Sequence, residues 1–268
     1  MKQLQLFKLL NLFIILKLRG DMMLDIILNK LDDIERKENV KIIYAVESGS
    51  RAWGFDSQDS DYDVRFIYVR PLNDYLSLED IKDTIDYELN DVFDINGWDL
   101  KKALKLLYKS NPTLYEWKAS PIVYKKTMEW DMIDEAFEQY FQIQRVLHHY
   151  YHMSFHEYKN VQTLKQFLYC LRTLLCCLWI IEYQSPPPIE LNKLLFLLPD
   201  YLHDTILEIL TFKKNNDEHC SYNPDPTFNR YIEEQLNYIG QHLLNSQNNL
   251  SFNLLNQTFV NILKTLSL

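Results

Sequence analysis

Asp61 and Asp63, one residue apart, are the side chains whose spacing speaks most directly of chemistry. In a strand, residues two apart share a face, so the pair sets two carboxylates side by side. Carboxylates that close raise each other's pKa and favour a bound cation. Mg²⁺ suits such a pair: it is a hard ion that takes oxygen ligands and leaves room for water and substrate phosphate. Gly49 and Ser50 lie just upstream, with ten residues between Ser50 and Asp61. Only five glycines occur in the chain, and Gly49 and Gly54 share this loop, so their placement is informative. A glycine there gives backbone freedom or close approach to a ligand. Gly49 and Ser50 would turn backbone N–H groups and a hydroxyl toward phosphates. Phosphates held between that bend and a metal are what in-line attack on a nucleoside triphosphate requires. A D-x-D pair alone is common in loops; the Gly-Ser bend, the gap and the flanking apolar runs make the pattern specific.

The elements around the pattern can be read from periodicity. Leu24, Ile27, Leu28, Leu31 and Ile34 mark an amphipathic helix over 23–37. Residues 41–47 form an apolar run that reads as a buried strand, 48–61 as a loop, and 63–69 as the partner strand. Two further strands are expected at 83–89 and 91–95, helices at 98–108 and 112–118, and an extended piece at 120–124. From about 128 onward only helical periods occur, at 130–147, 149–183, 189–197, 200–214, 226–245 and 252–266, with a hard break at Pro186–Pro188. The expected organisation is α+β: an α/β domain over 22–127 and an all-helical domain over 128–268.

Composition narrows the class. Lys and Arg total 28 against 37 Asp and Glu, a formal net charge of −9, which argues against a broadly basic nucleic-acid sheath. Cys170, Cys176, Cys177 and Cys220 form no C-x-x-C pair and read as reduced core thiols of a cytoplasmic protein. Residues 1–21 are apolar but interrupted by Lys8 and Asn11. They are too broken to span a bilayer and lack a small-residue cleavage site, so they read as a loose extension or as a mistaken start ahead of Met22 or Met23. No membrane role is expected.

The string Ser48-Gly-Ser-Arg-Ala-Trp-Gly-Phe-Asp-Ser-Gln-Asp-Ser-Asp-Tyr-Asp-Val-Arg-Phe-Ile-Tyr68 resembles the signature of the DNA polymerase beta nucleotidyltransferase superfamily. More narrowly, it resembles the predicted nucleotidyltransferases encoded beside RNA ligases. Asp94-Ile-Asn-Gly-Trp-Asp99, Asn111-Pro112, Glu116-Trp117, Ser120–Tyr124 and Lys165, Tyr169 and Arg172 look like that family too, so the likeness runs over roughly 40–200. It implies a polymerase-beta-type mixed sheet with flanking helices, two Mg²⁺ ions, an NTP substrate, and an acceptor hydroxyl with an RNA end as one candidate. An RNA ligase becomes a candidate protein partner. It also implies a third carboxylate from a neighbouring strand. Asp94 is the first choice; Asp99 is the alternative, although an acid at the start of the 98–108 helix is already explained as a cap.

Other residues carry two readings each. Arg51 could meet a triphosphate or pair with an acid; Arg65 reads more as a counter-ion. Lys165 and Arg172 lie seven apart on one helix face and could reach the nucleotide or face solvent. Trp53 and Phe55 could stack on a base or pack the loop onto the sheet. His148, His152 and His156 follow helical spacing and read as a core or partner-contact face before a zinc site. The competing function is a non-catalytic nucleotide-binding or toxin–antitoxin-like interaction module on the same fold.

Overall fold

The computed structural model describes residues 22–57, 59–216, 220–245 and 250–266; the expectations for 1–21 lie outside them. Helix α1 (22–38) leads into β1 (Lys41–Glu47), and the short α2 (Gly49–Trp53) precedes β2 (Tyr62–Val69). After α3 (Leu72–Tyr75) come β3 (Thr84–Leu89) and β4 (Phe93–Asp99), then α4 (Leu100–Tyr108), α5 (Pro112–Lys118) and β5 (Val123–Lys126). Five strands form one mixed sheet in the order β3-β4-β2-β1-β5. Only β2 and β4 run parallel, among the described pairings.

Alternation along β2 sorts its side chains. Val64, Phe66 and Tyr68 join Ile27, Leu31 and Ile34 of α1 in one cluster. Full burial of each such aliphatic chain contributes about 2 kcal/mol. Asp63, Arg65, Ile67 and Val69 therefore face the other way, where Ile67 and Val69 pack with Leu100, Leu104 and Leu107 of α4 and with Leu114 and Trp117 of α5. Asn111 caps α5, with Pro112 at its first turn; Asp99 caps α4 by accepting from Lys101 N at 2.7 Å.

The helical remainder comprises α6 (Met128–Asp131), α7 (Asp134–Gln139), α8 (Ile143–Asn160), α9 (Leu164–Tyr183), α10 (His203–Asn215), α11 (Pro226–Gln241) and α12 (Asn253–Leu266). The single helix expected over 149–183 is broken. Thr163 accepts from Gln166 N while the Gln166 side chain accepts from Thr163 N, a reciprocal cap that starts α9 afresh. The helix expected at 130–147 likewise resolves into α6, α7 and the start of α8, and 189–197 forms 3₁₀ turns. Helices α8 to α11 build their own core. Trp130 of α6, Phe137 of α7 and Leu255 and Ile262 of α12 join the sheet-side core instead.

Candidate active site

Parallel pairing of β2 with β4 sets Asp63 directly opposite Asp94. Arg65 bridges them: one guanidinium nitrogen donates to Asp63 Oδ1 at 2.9 Å and Asp94 Oδ2 at 2.6 Å, and the other to Asp94 O at 2.7 Å. Arg65 is thus the counter-ion of the acidic pair. Asp99 sits at the far end of the same ladder, opposite Tyr68, where it caps α4 and accepts from the Tyr75 hydroxyl at 2.9 Å. Of the two alternatives, only Asp94 lies beside Asp63.

The Gly-Ser bend closes on this pair. Gly49 has φ +62°, and a Cβ placed there would lie 1.9 Å from Asp63 Oδ2. Any side chain would collide with the carboxylate, which is a reason for glycine beyond the backbone angle. Ser48 N–H donates to Asp63 O at 2.8 Å, which locks the bend to β2. Ser50 is buried, and its Oγ has no hydrogen-bond partner among the described residues. Asp61 immediately precedes β2, and its Oδ1 is also buried without a partner among them. Orphaned buried oxygens are uncommon and ask for an explanation; those of Ser50, next to Gly49, and of Asp61 are suited to a ligand.

Burial, with the Asp61 and Asp94 charges adding to it, raises Asp63 to about 6 against the pull of Arg65 and Lys165. Lys165, on α9, is thus near enough to act on Asp63 electrostatically. Glu47, at the end of β1, is wholly buried and was not singled out from sequence. Its Oε1 accepts Asp63 N–H at 2.8 Å and its other oxygen accepts the Tyr124 hydroxyl. Burial raises Glu47 to about 7. An acid ending an apolar strand was the available signal.

The remaining sequence candidates have the following partners. Arg51 donates to Asp61 O at 2.9 Å and to Ser60 O, and covers the Tyr62 ring at 4.0 Å, so it fastens the loop before β2. Arg172, expected at the nucleotide, is instead fully buried: it donates to Glu116 Oε1 at 2.8 Å and lies over Trp53 at 4.4 Å. Seven residues carry it about 10 Å along α9 from Lys165. A charge buried there needs its carboxylate. Trp53 and Phe55 pack into that helical core, with Trp53 5.0 Å from Tyr169, rather than onto the sheet. His152 and His156 join His149, Met153, Glu157 and Tyr169 around a cavity of about 350 Å³.

Among the described residues no group of three or more His, Cys, Asp and Glu side chains is drawn together as a metal cage. Arg65 already occupies the space between Asp63 and Asp94. The donor set nevertheless fits Mg²⁺ in kind: oxygens only, with Asp61 Oδ1 and Ser50 Oγ left over.

A family model described as "RNA repair pathway DNA polymerase beta family" matches residues 23–261. "Uncharacterized protein YcgL" of Bacillus subtilis (strain 168) is 42% identical over 175 residues, covering 63% of this chain and 67% of that one. A spectinomycin adenyltransferase, AAD(9), from Enterococcus faecialis, solved with ATP and spectinomycin, aligns over 80% of this chain and 97% of its own at 16% identity and a TM-score of 0.38. Because the family match takes in both the sheet that carries Asp61, Asp63 and Asp94 and nearly all the helices that follow, this chain belongs to the RNA repair pathway DNA polymerase beta family.

Proposed function

We propose that the chain transfers a nucleoside monophosphate from a Mg-bound NTP to an acceptor hydroxyl, releasing pyrophosphate. Membership of a polymerase beta family supports nucleotidyl transfer in general. One observation carries the reading: Asp63 faces Asp94 across a parallel ladder while its other oxygen lies against Gly49, and Ser50, next to Gly49, and Asp61 each bury an oxygen without a partner among the described residues.

Each residue then has a task. Asp61, Asp63 and Asp94 would hold Mg²⁺, which when bound neutralises phosphate oxygens and favours pyrophosphate departure. Ser50 Oγ donates to a phosphate oxygen. Lys165 adds positive charge on the same side, and Arg65 keeps Asp63 and Asp94 oriented. Asp94 Oδ accepts the proton of the attacking hydroxyl. Its side chain and Arg65 line a cavity of about 400 Å³ with Asp86, Tyr87, Glu88 and Asn96, on the side from which an acceptor would enter. An RNA 3′ hydroxyl is the acceptor to try first, alone and with an RNA ligase present.

The test is incubation with each labelled NTP and Mg²⁺, with and without RNA, comparing wild type with Asp61→Ala plus Asp63→Ala. Label transfer that the double change abolishes supports the proposal. Tight NTP binding with no transfer to any acceptor sinks it in favour of a non-catalytic nucleotide-binding module.

A further inference from the structure

Lys213, on α10, is fully buried and donates to Ser57 Oγ at 2.8 Å, across 156 residues of chain. Removing an ammonium from water costs several kcal/mol unless fixed partners compensate, so such a contact is rarely incidental. Ser57 belongs to the loop between α2 and β2, which delivers Asp61. The loop is knitted inward from that point. Ser57 N–H donates to Ser60 Oγ at 3.0 Å, the two hydroxyls lie 3.1 Å apart, and Ser60 N–H returns to Ser57 O at 3.2 Å. Arg51 then takes Ser60 O and Asp61 O from the other side. Phe55, in the same loop, is buried in the core built by α8 to α11. The loop that carries Asp61 is therefore attached to the helical half, and Lys213 is its charged attachment point.

We propose that Lys213 is a positioning residue for Asp61: it fixes the Ser57–Ser60 turn, and through it the carboxylate that precedes β2. The catalytic consequence rests on the nucleotidyl-transfer reading above; the ordering of the loop does not. On this account Lys213 acts on the chemistry without touching the nucleotide, by holding one acid from behind.

The test uses the full chain with Lys213→Met, Ser57→Ala and the two combined. Two quantities are measured: amide hydrogen exchange over 55–62, and kcat and KM for NTP in the label-transfer assay. Each single variant should speed exchange in the loop by about tenfold, the equivalent of one hydrogen bond, and leave α9 amides unchanged. Each should lower kcat about 10- to 100-fold, as misplacement of a reacting group by a fraction of an ångström does, with KM for NTP within about twofold. The double variant should fall short of the product of the two single effects, because both remove the Lys213–Ser57 contact. Unchanged loop exchange in the variants overturns the proposal, as does a loss confined to KM or a double variant whose effects multiply. If Lys213→Met does not fold, Ser57→Ala decides by the same two measurements. If wild type transfers no label at all, the function fails, and loop exchange alone decides whether Lys213 holds the turn.

Discussion

Replacing Glu47 by Gln should make the protein more stable at alkaline pH while leaving it nearly unchanged at acid pH. Glu47 is wholly buried at the end of β1, where one oxygen accepts Asp63 N–H at 2.8 Å and the other the Tyr124 hydroxyl. Burial raises its carboxyl from 4.5 to about 7; the Asp63 charge adds to the rise, and the two hydrogen bonds and Arg51 oppose it. The folded state thus holds the proton more tightly than the unfolded state. Stability from this group is complete below about pH 4.5 and is lost as pH climbs through about 7. At 1.36 kcal/mol per pH unit the loss is about 3 kcal/mol. Gln keeps an acceptor for Asp63 N–H and can turn its NH₂ toward the Tyr124 oxygen, so the hydrogen bonds survive and the charge does not. Urea unfolding of wild type and Glu47→Gln from about pH 4.5 to 8.5 reads the difference directly. The two stability curves should diverge by about 3 kcal/mol toward high pH, with the variant above. Parallel curves, or a variant less stable at pH 8.5, would show that Glu47 is not a buried acid charged at a cost.

Further expectations concern the bend, the helical core and the metal. Gly49→Ala places a Cβ 1.9 Å from Asp63 Oδ2 at φ +62°, so it should cost well over the ~1–2 kcal/mol of left-handed strain and remove label transfer. Gly54→Ala, at φ +80° with nothing within 4 Å, should show only that strain in urea midpoints and keep its turnover. Arg172→Met leaves Glu116 buried without its cation and should cost about 3–5 kcal/mol in urea unfolding, with part restored by adding Glu116→Gln. Because burial raises Asp63 to about 6, Mg-NTP binding measured by calorimetry should weaken about tenfold per pH unit below that value, where the proton must first leave.

How far the sequence foretold this depended on whether a feature was local. The strand at 41–47, the D-x-D pair and the Gly-Ser bend each follow from a few adjacent residues, and the structure forms that strand and brings Gly49 against the Asp63 carboxylate. Asp99 was legible as a cap because a cap is set by its own helix, as its bond to Lys101 N shows. Pairing of Asp63 with Asp94 is a matter of parallel register between strands some thirty residues apart, and only the family resemblance pointed to it. Arg172 illustrates the opposite failure. Its spacing from Lys165 gave the right helix face but not the depth, because the position of Glu116 in α5 is invisible to periodicity. The break between α8 and α9 was readable in Thr163 and Gln166, yet the apolar run on either side masked it. Glu47, Ser57 and Lys213 carried no motif, since their meaning lies in burial and in contacts made across the fold.

Those three residues share a physical logic with Arg65. The proposed site for Mg²⁺ and triphosphate must keep several carboxylates close together in the absence of either, and like charges in a partly buried cleft repel. This chain meets that requirement in two ways. Arg65 places a permanent cation between Asp63 and Asp94. Burial keeps Asp63 and Glu47 ready to take a proton near neutrality. Asp61 is treated differently: its carboxylate is left with an unpartnered oxygen while its backbone is clamped by Arg51 and, through Ser57 and Ser60, by Lys213. The clamping cations act on the loop, so the carboxylate itself stays available to a ligand.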